Sequence, residues 1–198
     1  MAKPLVIIIG VGALGSHVLL NARNWDVQFK IIDFDKVEQK NTQAQMHTRM
    51  SLRRNKALSA QQSMNGMFGL KIDAVPHKLV PENFAMLLAG AALIIDCTDN
   101  IAARILIQKA ARSGGETNQV PCLHGALSAA GDFAMVMWTE HFEPDPEGAD
   151  GAATCEDGEQ LPFFAIAAGH VAQEAQRFLK DGTKRSLQLS PTAVQRLY

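Results

Sequence analysis

The sequence predicts a doubly wound α/β fold of Rossmann type, a mostly parallel sheet with helices on both faces. Three observations carry this. Short, almost wholly apolar runs recur along the chain, segments of helical period separate them, and a glycine-rich turn joins the first run to the first helical segment. A strand buried on both faces has no polar side to show, so it reads as a continuous apolar run. Strands that alternate with helices cross over and lie parallel.

The elements follow in order. Leu5–Ile9 is apolar throughout, bounded by Pro4 and Gly10, and reads as the first strand. Residues 13–24 have helical spacing through Leu14, Val18, Leu19 and Ala22. Residues 27–32 form a second strand ending at Asp33. Residues 51–64 read as a helix with basic first turns that Ser51 can cap. A third strand spans 70–75, a short helix 82–88 follows Pro81, and a fourth strand spans 91–96. Residues 101–113 are helical and stop at Gly114 and Gly115. Strands at 120–125 and 133–138 come next. Residues 141–160 are rich in Pro, Gly, Asp and Glu and read as a crossover loop. Residues 161–179 are apolar and helical, ended by Asp181 and Gly182. From Thr183 onward the pattern is weak. The chain is thus expected to be one domain over 1–180 with a tail over 181–198.

Composition limits the function. Of 198 residues, 47 % are hydrophobic and 20 % charged, enough to bury a core. The net charge is −1, from 19 basic and 20 acidic residues, so no basic excess points to nucleic acid or a membrane surface. No apolar run approaches the roughly 20 residues of a spanning helix, and the start of the chain lacks the pattern of a secretory signal. A cytoplasmic location is expected. Three cysteines, Cys97, Cys122 and Cys155, with none in a C-x-x-C pair, disfavour a disulfide framework and a four-cysteine zinc site. The six histidines show no metal spacing, and His124 and His170 read as satisfied core residues.

Ligands of such sheets sit beyond the carboxyl ends of the strands. That rule selects residues 10–15, 33–41 and 96–100. Residues 10–15 are a G-x-G-x-x-G turn between strand and helix, which lets backbone approach phosphate and presents free N–H groups. The turn alone does not separate NAD, FAD and ATP. Asp33 closes the second strand, where an acid on a ribose stands. Beyond it, Asp35, Lys36, Glu38, Asn41, Gln43 and Gln45 form a polar cluster that a dehydrogenase does not need and a triphosphate with its metal does.

Four segments, the glycine turn, IIDFDKVEQKNTQAQ, RRNKALSA and LIIDCTDNIAARIL, resemble the ThiF/MoeB/HesA family in order and near-family spacing. A fifth, LPFFAIAAGHVAQEAQRFL, resembles the family's helix after the crossover loop, so the resemblance covers roughly residues 4–180. It implies a Rossmann-like adenylyltransferase, related to ubiquitin-activating enzymes, that uses ATP and Mg²⁺ to adenylate the C-terminal carboxylate of a small ubiquitin-like or sulfur-carrier protein ending in Gly-Gly. Thioester or sulfur transfer can follow. It also implies a homodimer. By position, Gly10, Gly12, Ala13 and Gly15 would lie against the nucleotide, and Asp33 would hold the ribose. Asp35, Lys40, Asn41, Gln45 and Asn100 would line the nucleotide site. Lys56 would contact phosphate, and Asp99 would hold Mg²⁺, a cation that prefers carboxylate oxygen. Asp99–Asn100 could instead cap the following helix, and Arg104 could be a surface charge.

The sequence departs from the family in several places. Ala44 stands where the family's N-x-x-R-Q has arginine, and only four residues precede Leu5, where the family often has a further arginine on a helical extension. Losing an arginine of phosphoryl chemistry can cost on the order of 10³–10⁵ in rate. Arg49, Arg53 and Arg54 are the expected substitutes, with Arg53 and Lys56 sharing a helical face. The family's zinc-binding cysteine pairs are missing, so no zinc is expected. Cys97 and Cys122 read as buried. Cys155, in the crossover loop, is the candidate thioester or acyl-disulfide residue, although Glu156 and Asp157 beside it would raise its thiol pKa. Two other readings stay open. One is a non-catalytic activating-enzyme subunit, which Ala44 favours. The other is an NAD(P)-dependent Rossmann oxidoreductase, which only the glycine turn and Asp33 favour.

Overall fold

The computed structural model describes residues 2–112, 119–128, 130–144 and 159–198. Among them eight strands form one sheet: β1 (Leu5–Ile9), β2 (Gln28–Ile32), β3 (Ile72–Val75), β4 (Leu93–Asp96), β5 (Cys122–Leu127), β6 (Ala134–Trp138), β7 (Leu187–Ser190) and β8 (Ala193–Arg196). Their order is β3-β2-β1-β4-β5-β6-β7-β8. The first five are parallel, and β6, β7 and β8 extend the sheet antiparallel.

The helices are α1 (Ala13–Ala22), α2 (Asn41–Ala44), α3 (Lys56–Phe68), α4 (Phe84–Leu88), α5 (Ile101–Arg112) and α6 (Leu161–Asp181). Alternation along the strands sorts them onto two faces. Val6 and Ile8 of β1 pack with Leu14 and Val18 of α1, Ala60 of α3 and Phe164 and Val171 of α6. Ile7 and Ile9 face the other way, with Leu88 of α4 and Ile107 of α5. Burying one such aliphatic side chain stabilises by about 1.5–3 kcal/mol, and all four of these β1 residues are at most 3 % exposed. No described helix is long and apolar enough to cross a membrane.

Two segments differ from their sequence reading. The helix expected from Ser51 starts at Lys56, and its cap is Asn55, whose Oδ1 accepts the Leu58 N–H at 3.0 Å. A single 3-10 turn covers Arg49–Ser51, and the residues between it and Lys56 are not helical. Arg53 has φ +66°, its N–H donates to the Val37 carbonyl, and the Val37 N–H donates to Arg54 O. A short antiparallel contact with residues 36–37 has taken those backbone groups. So Arg53 and Lys56 share no helical face. The second difference lies after Gly182, whose φ of +75° ends α6. Residues 187–196, unpatterned in the sequence reading, are the β7–β8 hairpin. Leu187 and Leu189 point inward and Gln188 and Ser190 less so, a period-two alternation only four residues long.

The strand order reverses between β1 and β4. Ile9 lies beside Ile32 on one side and Asp96 on the other. Gly10, Asp33 and Cys97 therefore leave the sheet side by side, and the crevice they border is the switch point where ligands bind in such sheets.

Candidate functional site at the switch point

The glycine turn is held tightly at both ends. Gly10 has φ +81°, and a Cβ there would stand 2.9 Å from the Cys97 carbonyl oxygen. A Cβ on Gly15 would lie 1.8 Å from Gly10 O, so only glycine lets α1 start this close to β1. Gly12, the residue before α1, is different: a Cβ there would meet only Gln45 Nε2, at 3.9 Å. Ala13 begins the helix and is buried.

Val11 connects the turn to two polar side chains. Its N–H donates to Asp33 Oδ2 at 2.8 Å, and its carbonyl accepts from His47 Nε2 at 2.9 Å. The other Asp33 oxygen accepts the Asp35 N–H at 2.9 Å. Burial pushes the Asp33 carboxyl above its ordinary value, against the opposing pull of Lys56 and of both N–H donors. Lys56, at the first turn of α3, places Nζ 3.1 Å from Asp35 Oδ2. Asn55 ties its amide to the Asp33 and Asp35 carbonyls. Asp33, Asp35 and Lys56 thus form one unit beside the turn.

Asn41 is buried, and its Oδ1 accepts the Glu38 N–H. Lys40 pairs with Glu38 at 3.4 Å. Ala44 is fully buried, with its carbonyl taken by His17 Nε2 at 3.2 Å. Next to it two buried polar atoms have no hydrogen-bond partner among the described residues, Gln45 Oε1 and His47 Nδ1. Buried polar groups are nearly always satisfied, and such an atom points to a bound water, ion or ligand. Both side chains stand beside the turn, Gln45 with its Nε2 3.9 Å from where a Gly12 Cβ would lie and His47 bonded to Val11 O.

On the other side of the crevice, Asp99 is exposed and enters no ion pair among the described residues. Asn100 is the cap of α5: its Oδ1 accepts the Ala103 N–H at 2.9 Å. The capping role therefore falls to Asn100 and leaves the Asp99 carboxylate available. Among the described residues no three His, Cys, Asp or Glu side chains cluster as a metal site. Mg²⁺ needs only one or two carboxylates when phosphate supplies the rest.

Under α5 lies a second polar cluster that the sequence reading did not assemble. Asp96 is fully buried. Its Oδ1 accepts from the Thr98 N–H (2.9 Å) and hydroxyl (2.7 Å), and its Oδ2 from His124 Nδ1 at 2.8 Å. Arg104 Nε stands 3.7 Å from Oδ2, and its Nη2 donates to Thr98 O at 2.6 Å. His124 Nε2 meets Thr139 Oγ1 at 2.6 Å, and Phe142 stacks on the ring at 4.0 Å. Burial works to raise the Asp96 carboxyl. The His124 bond and charge, Arg104 and the Thr98 N–H outweigh it and hold it below its ordinary value. Arg104 is therefore an interior group and not a surface charge. The cluster fixes the start of the loop that carries Asp99.

Arg49, Arg53 and Arg54 are exposed, and Arg54 donates to Gln62. None contacts the glycine turn. Burial, with the Asp96 charge adding to it, pushes the Cys97 and Cys122 thiols far above their ordinary value, so neither is a thiolate nucleophile. Cys155 and most of the crossover loop lie outside the described residues.

The model of the ThiF family matches residues 2–195. A probable adenylyltransferase/sulfurtransferase MoeZ of Mycobacterium tuberculosis is 33 % identical over 183 residues, covering 84 % of this chain and 45 % of the relative. A sulfur carrier protein adenylyltransferase of Thermus thermophilus is 30 % identical over 130 residues, covering 64 % and 46 %. The chain thus spans about half the length of these relatives. The crystal structure of PaaA shares the fold with a TM-score of 0.75 at 16 % identity, over 98 % of this chain and 63 % of that one.

Proposed function

This chain belongs to the ThiF family, and we propose that it uses ATP to adenylate the C-terminal carboxylate of a small ubiquitin-like or sulfur-carrier protein. The observation that carries the reading is the set of polar groups left open around the glycine turn. Asp99 has no ion-pair partner among the described residues, and Gln45 Oε1 and His47 Nδ1 are buried without a bond. A core has no use for such groups, and a triphosphate does.

In the proposed reaction a carboxylate oxygen of the carrier attacks the α-phosphorus of ATP. The bond from that phosphorus to the bridging oxygen breaks, and pyrophosphate leaves with the electron pair. An acyl adenylate remains. Positioning and charge stabilisation supply most of the acceleration in such a step. Gly10, Gly12, Ala13 and Gly15 receive the phosphates at the start of α1. Asp33 is the ribose acceptor, with its carboxylate already oriented by two N–H groups. Asn41, Gln45, Lys40 and Asn100 line the nucleotide, and Lys56, with Asp35 steadying it, faces the phosphates. Asp99 is the residue that would hold Mg²⁺, which when bound neutralises phosphate charge. A Gly-Gly terminus on the carrier, a homodimer and a cytoplasmic setting belong to the same reading. Any later thioester or sulfur transfer falls to Cys155.

The test is ATP–pyrophosphate exchange with Mg²⁺ and candidate carriers ending in Gly-Gly. Exchange that depends on the carrier is expected. Binding of NAD(H) in place of ATP would overturn the reading. Alanine in place of the family's arginine at position 44 favours one rival, a subunit that binds nucleotide and partner without catalysis. Tight ATP binding with no exchange against any carrier would establish that rival.

A further inference from the structure

The cation that position 44 lacks has a candidate three residues later. His47 is only 4 % exposed and is fixed by its bond to Val11 O. Because a carbonyl can only accept, Nε2 carries the proton. In the neutral ring Nδ1 is then a bare acceptor, and it has no partner. The same Val11 binds Asp33 through its N–H, so His47 is anchored to the glycine turn and not merely near it. Of the other cations considered, Arg104 is committed to Asp96 and Thr98, Lys56 reaches the site already paired with Asp35, Arg54 is bonded to Gln62, and Arg49 and Arg53 are exposed.

Resting on the nucleotide reading above, we propose that His47 is a phosphate-binding residue that acquires its charge only with the ligand. The free protein holds the neutral Nε2–H ring. When the nucleotide's phosphates enter, Nδ1 takes a proton from solvent, and the imidazolium donates from both nitrogens, to Val11 O and to phosphate oxygen.

The electrostatics support this sequence of events. In the free protein, burial outweighs the Val11 carbonyl and, with a smaller addition from the Lys56 charge, holds His47 below its ordinary value. A phosphate reverses the balance by adding negative charge. Four titratable groups are linked to the ring or its neighbours. Lys56 of α3 acts on it through its charge, Asp33 at the end of β2 shares its Val11 anchor, and Asp35 is paired with Lys56. His17 of α1 holds the Ala44 carbonyl, and its own pKa is lowered by burial. His17 spends its Nε2–H on a carbonyl away from the turn, which makes it the control.

Calorimetric titration with ATP and Mg²⁺ decides the matter, run near pH 7.5 in buffers of different ionisation enthalpy. Wild type should take up about half to one proton per site, and affinity should fall by up to about tenfold per pH unit above neutrality. His47→Gln keeps an amide N–H for Val11 O and cannot titrate. It should bind ATP at least about tenfold more weakly at pH 7, with the uptake gone and the pH slope flattened. His17→Gln should retain both. Identical uptake and slope in wild type and His47→Gln would overturn the proposal. Should His47→Gln not fold, ring ¹⁵N shifts of wild-type His47 decide: neutral Nε2–H in the free protein and imidazolium in the complex supports it, and an unchanged neutral ring overturns it. ATP binding without proton uptake refutes this proposal alone. No ATP binding by wild type refutes the nucleotide reading, and this proposal with it.

Discussion

Two polar clusters flank the crevice at the switch point and differ in how complete they are. The one under α5 is closed: both Asp96 oxygens, both His124 nitrogens and Thr98 are bonded, and the Arg104 Nε is the one orphan among them. The one around the glycine turn is open: Gln45 Oε1 and His47 Nδ1 lack partners, and Asp99 stands in solvent. A closed network in low dielectric gives rigidity and is expensive to break. An open one stabilises nothing by itself and keeps its bonding capacity for a ligand. The first cluster should therefore report on folding and the second on binding and turnover.

The largest effect expected is Asp96→Ala. It strands Arg104 and His124 in the interior and should lower unfolding free energy by about 3–5 kcal/mol, read by urea denaturation. A variant of normal stability with only its exchange activity lost would break the comparison, because Asp96 would then belong with the reacting groups. Asp99→Ala is the converse. It should reduce exchange by at least about 10²-fold, a barrier of about 2.7 kcal/mol or more. Stability should change by no more than about 0.5 kcal/mol, as for an exposed side chain. A fully active variant with unchanged Mg²⁺ dependence would remove Asp99 from the site.

The second and third glycines of the turn divide in the same way on a smaller scale. Gly15→Ala forces a Cβ into Gly10 O and should destabilise by about 1–3 kcal/mol. Gly12→Ala meets nothing of the protein within van der Waals distance except Gln45. It should fold with a loss below about 1 kcal/mol and bind ATP at least about tenfold more weakly, seen in the same titration. Equal affinity in Gly12→Ala would mean that no ligand approaches there.

The smallest effect is a pH dependence. Asp33 has a raised carboxyl and Asp96 a lowered one. As pH falls, Asp33 takes its proton above the ordinary aspartate value of about 3.9. Because its folded-state value is the higher one, protonation relieves the fold of a buried charge. Asp96 acts in the opposite sense. The stability it contributes is present above the ordinary value and is lost as pH falls through its lower folded-state value. Acidification should thus protonate Asp33 first and weaken ATP binding before it weakens the fold. Simultaneous loss of both would show that the clusters are not separable.

Much of this was legible in the sequence. The buried strands could be read because a strand covered on both faces has no polar register to confuse. The switch point followed from strand–helix alternation and the glycines. What escaped has physical reasons. β7 shows its alternation through Leu187 and Leu189 alone, too short to stand out beside a loop. The start of α3 was misplaced because the backbone of Arg53 and Arg54 bonds to Val37, a long-range choice that local propensity does not encode. His124 was readable as a core histidine from its apolar strand. Its partners are Asp96 at the end of β4 and Thr139 and Phe142 just after β6, and Arg104 of α5 joins through Asp96, so the four could not be grouped with it before the sheet was assembled. The sequence analysis did not single out His47, and only the bond to Val11 marks it.

Val11 itself carries a lesson for genetics. Its side chain lies in the core, while its N–H and its carbonyl hold the two side chains on which the turn's chemistry is argued. Every replacement of Val11 by another encoded residue except proline keeps both backbone groups. A mutational survey would therefore score position 11 as a packing site and miss its other work. An ester in place of the peptide N–H between Gly10 and Val11 deletes one hydrogen-bond donor and no side chain. Such a backbone edit can expose a functional position to which codon changes are blind.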